Sequence, residues 1–215
     1  MTPHRLLLLH GVATTGAVWQ PVLDALGALD GFDVSAPDRP ACGDLRAELD
    51  WLAPLARDAF VVGFSGGATL GLALAASDVR LAGALLHEPA VGSLVPGLLA
   101  PVAAAYARDG YAGFGSARSG PGWRTDMALD DGASVARELP MFRAFEPAGA
   151  TPGQGRVVVS VGALSPRPRQ DAAHALRDRL GYETIELAAS SHFAVQDNPQ
   201  DFASLIREFL GADRS

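Results

Sequence analysis

Six short apolar runs, Arg5–Leu9, Phe32–Ala36, Phe60–Phe64, Leu81–Leu86, Arg156–Val161 and Glu183–Leu187, recur along this chain at intervals that leave room for a helix between most of them. Their hydrophobicity is nearly continuous rather than alternating, as a strand requires when helices cover both faces of its sheet. The expected fold class is α/β: a mostly parallel sheet of about six strands with helices on both faces. Helices are expected at Val18–Leu29, Leu45–Arg57, Ala68–Ala76, Gln170–Leu180 and Pro199–Leu210. In the last of these Phe202, Leu205, Ile206, Phe209 and Leu210 share one face, and Asn198-Pro199 supplies the start. A chain of 215 residues can bury one core but not two ordinary domains, so residues 1–215 are read as a single domain.

One interval breaks the rhythm. The stretch between the fourth and fifth runs is far longer than a loop and one helix. It is read as a small cap-like insertion over residues 92–155, helical at Leu98–Arg108 and Gly132–Phe145, with hinges in the Gly-, Ser- and Pro-rich Tyr111–Trp123. The competing reading is an ordinary helical insertion that only protects a sheet edge.

A formal charge of −7 opposes nucleic-acid binding, because phosphate contacts need clustered Lys and Arg and the basic residues here are scattered. No stretch reaches the roughly 18 apolar residues of a membrane span. The start, Met1 to Arg5 followed by four leucines, is too short for a secretory signal, and a lone Cys42 suits a reducing compartment. A cytoplasmic protein acting on a small, neutral molecule is expected, with no membrane or nucleic-acid partner. The five histidines, His4, His10, His87, His174 and His192, lack ligand spacing, so no metal is expected. Gly113-Phe114-Gly115 follows no strand and is not read as a phosphate loop.

Chemistry enters at Val61–Gly67, where Ser65 is the centre of a Gly-x-Ser-x-Gly pattern between a buried run and a small-residue stretch. A serine on such a strand-to-helix turn sits in sparsely allowed backbone space, so Gly63, Gly66 and Gly67 must be small around it. The bland alternative is a glycine-rich turn that contains a serine. Two other strand ends bring histidines toward the same sheet edge: Leu9-His10-Gly11-Val12 upstream and Ser191-His192-Phe193 downstream. An imidazole can take the serine proton and return it to a leaving group, chemistry that needs no cofactor.

In order and spacing these pieces resemble the α/β-hydrolase superfamily over essentially the whole chain. They are strand-His10-Gly11 with Trp19 nine residues later, Ala36-Pro37-Asp38-Arg39, the Gly63–Gly67 elbow, and Ser191-His192-Phe193 before an amphipathic final helix. The resemblance is to a small serine esterase-like member whose first strand matches the family's third, without the leading hairpin. It implies Ser65 as nucleophile, His192 as general base, the N–H groups of Val12 and Gly66 as oxyanion donors, and Gly11 and Phe64 beside them at the substrate. His10 is expected to shape the oxyanion loop rather than react.

The family's usual acid position is vacant. Gly162-Ala163-Leu164-Ser165-Pro166-Arg167 holds no carboxylate, and Asp171 falls inside the next helix. Some superfamily members draw the acid from the end of the strand after the nucleophile, which here reads Leu86-His87-Glu88-Pro89, so Glu88 is the candidate. Alternatives are that Glu88 accepts from cap backbone or pairs with an arginine, that a Ser–His dyad is oriented by Ser165 or a backbone carbonyl, or that Asp38 is the acid. The implied activity is hydrolysis of a small to medium hydrophobic ester, lactone or thioester. The alternatives are a non-hydrolytic or C–C bond-cleaving enzyme of the same fold, or a catalytically silent small-molecule binding protein. Leu94, Leu98, Tyr106, Tyr111, Phe114, Trp123, Met127, Met141 and Phe142 are available as substrate walls, or simply to pack the cap.

Overall fold

The computed structural model describes residues 3–119 and 132–212. Its strands are β1 (His4–Leu9), β2 (Phe32–Ser35), β3 (Ala59–Phe64), β4 (Gly83–His87), β5 (Val157–Gly162) and β6 (Glu183–Leu187). They form one sheet in the order β2-β1-β3-β4-β5-β6, and every neighbouring pair is parallel. The helices are α1 (Gln20–Leu26), α2 (Leu45–Ala56), α3 (Gly66–Ala75), α4 (Ala100–Ser119), α5 (Ala133–Ala144), α6 (Arg167–Leu180), α7 (Ala194–Asp197) and α8 (Pro199–Ala212).

Strand residues alternate between two apolar layers, which is why the runs read as continuous. Leu7, Leu9, Val61, Ala84, Leu86 and Val159 pack with Leu52 and Ala56 of α2, Leu70 and Leu74 of α3, and Ala172 and Leu176 of α6. Leu6, Leu8, Phe60, Val62, Phe64, Leu85 and Val158 face Val22 and Leu26 of α1, Ala194 and Val195 of α7, and the predicted stripe of α8. Central β3 is buried at every residue, whereas edge strands β2 and β6 are half-exposed. At about 1.5–3 kcal/mol for each large apolar side chain fully buried, the central strands hold most of the stability. Residues of α4 and α5 (Val102, Phe114, Val135, Leu139, Phe142) join the first layer. Among the described residues no helix is long and apolar enough to cross a membrane.

The chain steps from β1 outward to β2 and then crosses back over β1 to β3, so the carboxyl ends of β1 and β3 flank the point where strand order reverses. Open α/β sheets bind ligands there.

Departures from the expected elements are local. The helix expected over Val18–Leu29 is a 3-10 turn at Gly16–Trp19 followed by α1, which stops at Gly27, where φ is 58°. α3 begins at Gly66, immediately after the serine, and α6 begins at Arg167 because Pro168 is tolerated in a first turn. The Tyr111–Trp123 stretch is not a hinge throughout. Through Ser119 it is helical, and the break falls at Gly110, whose φ of 61° and ψ of −142° suit only glycine. Residues 120–123 of that stretch lie outside the described residues, as do Trp123 and Met127.

Candidate active site

β3 ends by delivering Ser65 into a backbone conformation of φ 55° and ψ −121°, with α3 starting at the next residue. The neighbouring glycines are forced by backbone proximity. A Cβ on Gly67 would lie 2.1 Å from the Leu9 carbonyl oxygen, and one on Gly63 would lie 2.6 Å from that of Gly67. The helix is thereby pressed against the end of β1, and the serine stands clear of the sheet.

The Ser65 Oγ lies 3.0 Å from His192 Nε2, and His192 Nδ1 lies 2.7 Å from Glu88 Oε2. Since an ionised carboxylate only accepts, Nδ1 carries the imidazole proton and Nε2 is left to accept from the serine. Glu88 follows β4 at a positive φ of 50°, and its Oε1 accepts from the Gly162 N–H at 3.0 Å and from the Ser165 hydroxyl. Ser165 therefore supports the carboxylate rather than the ring. Asp38 is engaged elsewhere, accepting from the Gly16 N–H at 2.8 Å. The His192 loop is held from behind by His87, whose Nε2 donates to the Ser191 carbonyl at 3.1 Å while its Nδ1 accepts from Ser160 at 3.0 Å.

Burial pushes the His192 pKa down to about 4, and the Arg169 charge acts in the same direction, against the opposing hydrogen bond and charge of Glu88. Burial alone would raise the Glu88 pKa, but the hydrogen bond and charge of His192, with His87 and Arg169, outweigh it and hold the carboxyl well below its usual range. At neutral pH the pair is thus carboxylate and neutral imidazole, the state in which His192 can accept a proton. Both folded pKa values are depressed, so the stability they contribute is present above the unfolded values and is lost as pH falls through the folded ones. The acid limb of kcat/KM is accordingly expected well below pH 6.5, with full activity at pH 7. A profile measured on an uncharged ester checks this, and an acid limb at or above 6.5 contradicts it.

Two peptide carbonyls near the serine are tied down by hydrogen bonds that fix the orientation of their planes. The Gly11 carbonyl accepts from Thr14 Oγ1 at 2.9 Å, from His10 Nδ1 at 2.9 Å and from Arg39 Nη2 at 3.3 Å, which turns the Val12 N–H of the same trans peptide the opposite way. The Ser65 carbonyl accepts from the N–H and the hydroxyl of Thr69, both at 3.0 Å, so the Gly66 N–H points out of the first turn of α3, where helical N–H groups lack intrahelical partners. His10 Nε2 accepts from the Arg39 N–H at 3.0 Å and so ties this loop to the turn after β2. Gly11 packs against Ser65: a Cβ there would lie 3.1 Å from that of the serine. Phe64, expected at the substrate, is not among the cavity residues. Strand alternation turns its ring into the other layer, against Trp19 and Phe193 at 5.7 and 5.8 Å between centroids.

Arg39 is the buried anchor of the loop. Its Nε donates to the His10 carbonyl at 3.1 Å, and its Nη1 reaches Glu48 of α2 at 3.1 Å and Glu138 of α5 at 2.7 Å. Sequence reasoning placed Arg39 only in a turn; its partners come from two distant helices. Removing it takes the paired cation away from two buried carboxylates, so Arg39→Ala is expected to destabilise the fold by about 3–5 kcal/mol in urea unfolding.

Ser65 and His192 open into a narrow cavity. Val12, Gly66, Thr69, Ala90, Leu99, Val102, Phe114, Leu139 and Phe142 line it, with Glu88, Arg118 and Arg169. Of the anticipated wall residues Phe114 and Phe142 are there, whereas Leu94, Leu98, Tyr106, Tyr111 and Met141 are partly buried and pack on the core. Arg118 was not anticipated. Its guanidinium lies over Phe114 and Phe193, 5.4 and 4.9 Å from their centroids, and Nη1 donates to the Val12 carbonyl.

A family model described as "Alpha/beta hydrolase family" matches residues 6–205. An enol-lactonase from Burkholderia xenovorans superposes with a TM-score of 0.73 at 21% identity, covering 98% of this chain and 92% of that one. A thermophilic esterase from Thermogutta terrifontis gives 0.72 at 19%, covering 100% and 92%. A carboxylesterase from Bacillus subtilis gives 0.66 at 18%, covering 97% and 84%. No curated protein sequence matches the chain.

Proposed function

The chain belongs to the α/β hydrolase family, and we propose that within it this protein is a serine hydrolase of small to medium hydrophobic esters, lactones or thioesters. One observation carries the reading: an unbroken relay from Ser65 Oγ through His192 to Glu88, opening into an apolar cavity. In the proposed cycle Ser65 Oγ attacks the substrate carbonyl as His192 Nε2 takes its proton. Glu88 holds Nδ1–H and stabilises the imidazolium that forms. The N–H groups of Val12 and Gly66 receive the oxyanion, each such donor being worth about 3–4 kcal/mol of barrier. His192 then protonates the leaving group, and water, deprotonated by the same nitrogen, releases the acyl-enzyme.

Residues 92–155 act in this reading as the cap, since Leu99, Val102, Phe114, Leu139 and Phe142 form most of the apolar wall. The ester and lactone activities named for the neighbouring structures support the substrate class. A cytoplasmic location fits the exposed free thiol of Cys42. The test is a panel of p-nitrophenyl esters of increasing acyl length with aliphatic lactones and thioesters, run on wild type and Ser65→Ala in parallel. Turnover is expected to be highest for the shortest acyl groups and to fall as the chain lengthens, because the cavity is narrow. Turnover that survives in the alanine variant contradicts the mechanism.

A further inference from the structure

We propose that the cavity selects substrates bearing a carboxylate near the scissile ester, and that Arg169 is the residue that reads it. This rests on the serine hydrolase reading and narrows its substrate class.

Arg169 is the third residue of α6, where a cation opposes the partial positive charge of the helix N-terminus. Its side chain is only 11% exposed, and it lines the same cavity as Ser65 and His192. Of the five guanidinium N–H donors, one is used among the described residues: Nη1 donates to the Glu88 carbonyl oxygen at 3.1 Å. Nε stands 3.6 Å from Glu88 Oε2, beyond hydrogen-bond range, and Nη2 has no hydrogen-bond partner among the described residues.

Glu88 does not need this arginine as a donor. Its Oε1 is taken by Gly162 and Ser165 and its Oε2 by His192. A guanidinium cannot shed its proton; its charge is compensated by the ionised Glu88 3.6 Å away, and the donors not spent on Glu88 are left for an acceptor that enters the cavity. Ala90, Leu99, Val102, Leu139 and Phe142 of the cavity wall bring no side-chain acceptor to it, so an acceptor carried by the substrate has only water to displace there. Arg118 is not invoked, because its guanidinium is stacked on two phenylalanines and bonded to Val12. A carboxylate fits better than a phosphate, because the Arg169–Glu88 pair carries no net charge with which to offset the larger desolvation cost of a dianion. The small, neutral substrate suggested by overall charge is thereby replaced by a monoanionic one.

The experiment compares matched pairs. p-Nitrophenyl hemiglutarate and its methyl ester place the charge on the acyl side; 4-carboxyphenyl butanoate and its methyl ester place it on the alcohol side. Wild type is expected to favour the charged member of one pair by roughly tenfold or more in kcat/KM. In Arg169→Met that ratio should collapse toward one whatever the absolute rates, and Arg169→Lys should keep part of it. A ratio at or below one in both wild-type pairs overturns the proposal. So does a ratio unchanged in Arg169→Met, because an arginine that only steadies Glu88 slows both members alike. Calorimetric titration of Ser65→Ala with monomethyl glutarate reads the site without turnover. Binding that vanishes in Ser65→Ala/Arg169→Met supports the arginine even if the hydrolase reading fails, and no binding to Ser65→Ala overturns it.

Discussion

Ser65→Ala is expected to lower kcat on a p-nitrophenyl ester by about 10⁴–10⁶-fold, because it removes the atom that forms the acyl-enzyme and leaves only binding and the oxyanion donors to act. Stability should barely change. Among the described residues the lost hydroxyl bonds His192 alone, and alanine tolerates φ 55° no better and no worse than serine. A companion variant separates strain from chemistry. Ser65→Gly should be equally inactive yet more stable than wild type by about 1 kcal/mol, since glycine alone occupies this conformation without penalty. Urea unfolding and ester kinetics on the three proteins check both halves. A wild type no less stable than Ser65→Gly would mean that the elbow stores no strain.

The second large effect is at the displaced acid. Glu88→Gln is expected to lower kcat by about 10³–10⁴-fold while leaving the fold intact. The amide oxygen can still accept from Gly162 and Ser165, but its NH₂ then faces His192 Nδ1. That nitrogen is forced to accept, the proton moves to Nε2, and Nε2 can no longer take the serine proton. Steady-state kinetics with circular dichroism as the folding control provide the measurement. Near-wild-type turnover in a folded variant would reduce the site to a Ser–His dyad. The same substitution should flatten the acid-side loss of stability, since the depressed carboxyl pKa is removed along with the carboxylate.

The sheet was readable because physics repeats there: each buried parallel strand must be apolar on both faces, so Phe60–Phe64 and its companions stand out without knowledge of their neighbours. The elbow was readable for a similar reason, because a backbone-to-backbone approach such as that of Gly67 to Leu9 admits only glycine. Glu88 was visible as a carboxylate at the end of a buried strand, a place where charge needs a partner. What escaped depends on contacts between segments remote in sequence. Tyr111–Ser119 has a loop's composition but is helical, with Phe114 buried in the core and Gly110 taking the break. Phe64 adjoins the nucleophile in sequence yet faces the other layer. Arg39 and Arg118 hold the loop after β1, through the carbonyls of His10, Gly11 and Val12, from sides that no local pattern reveals. Arg169 left one trace, a cation in the first turn of a helix, where local electrostatics disfavour it; such violations concentrate at sites.

Labelling with a fluorophosphonate, read by intact-protein mass and peptide mapping, tests the central claim most directly. One equivalent should attach to Ser65 of the wild type at neutral pH, with none on Ser65→Ala and sharply slowed labelling in Glu88→Gln. A folded wild-type protein that takes up no label, or takes it up at another residue, would contradict the assignment of Ser65 as an activated nucleophile.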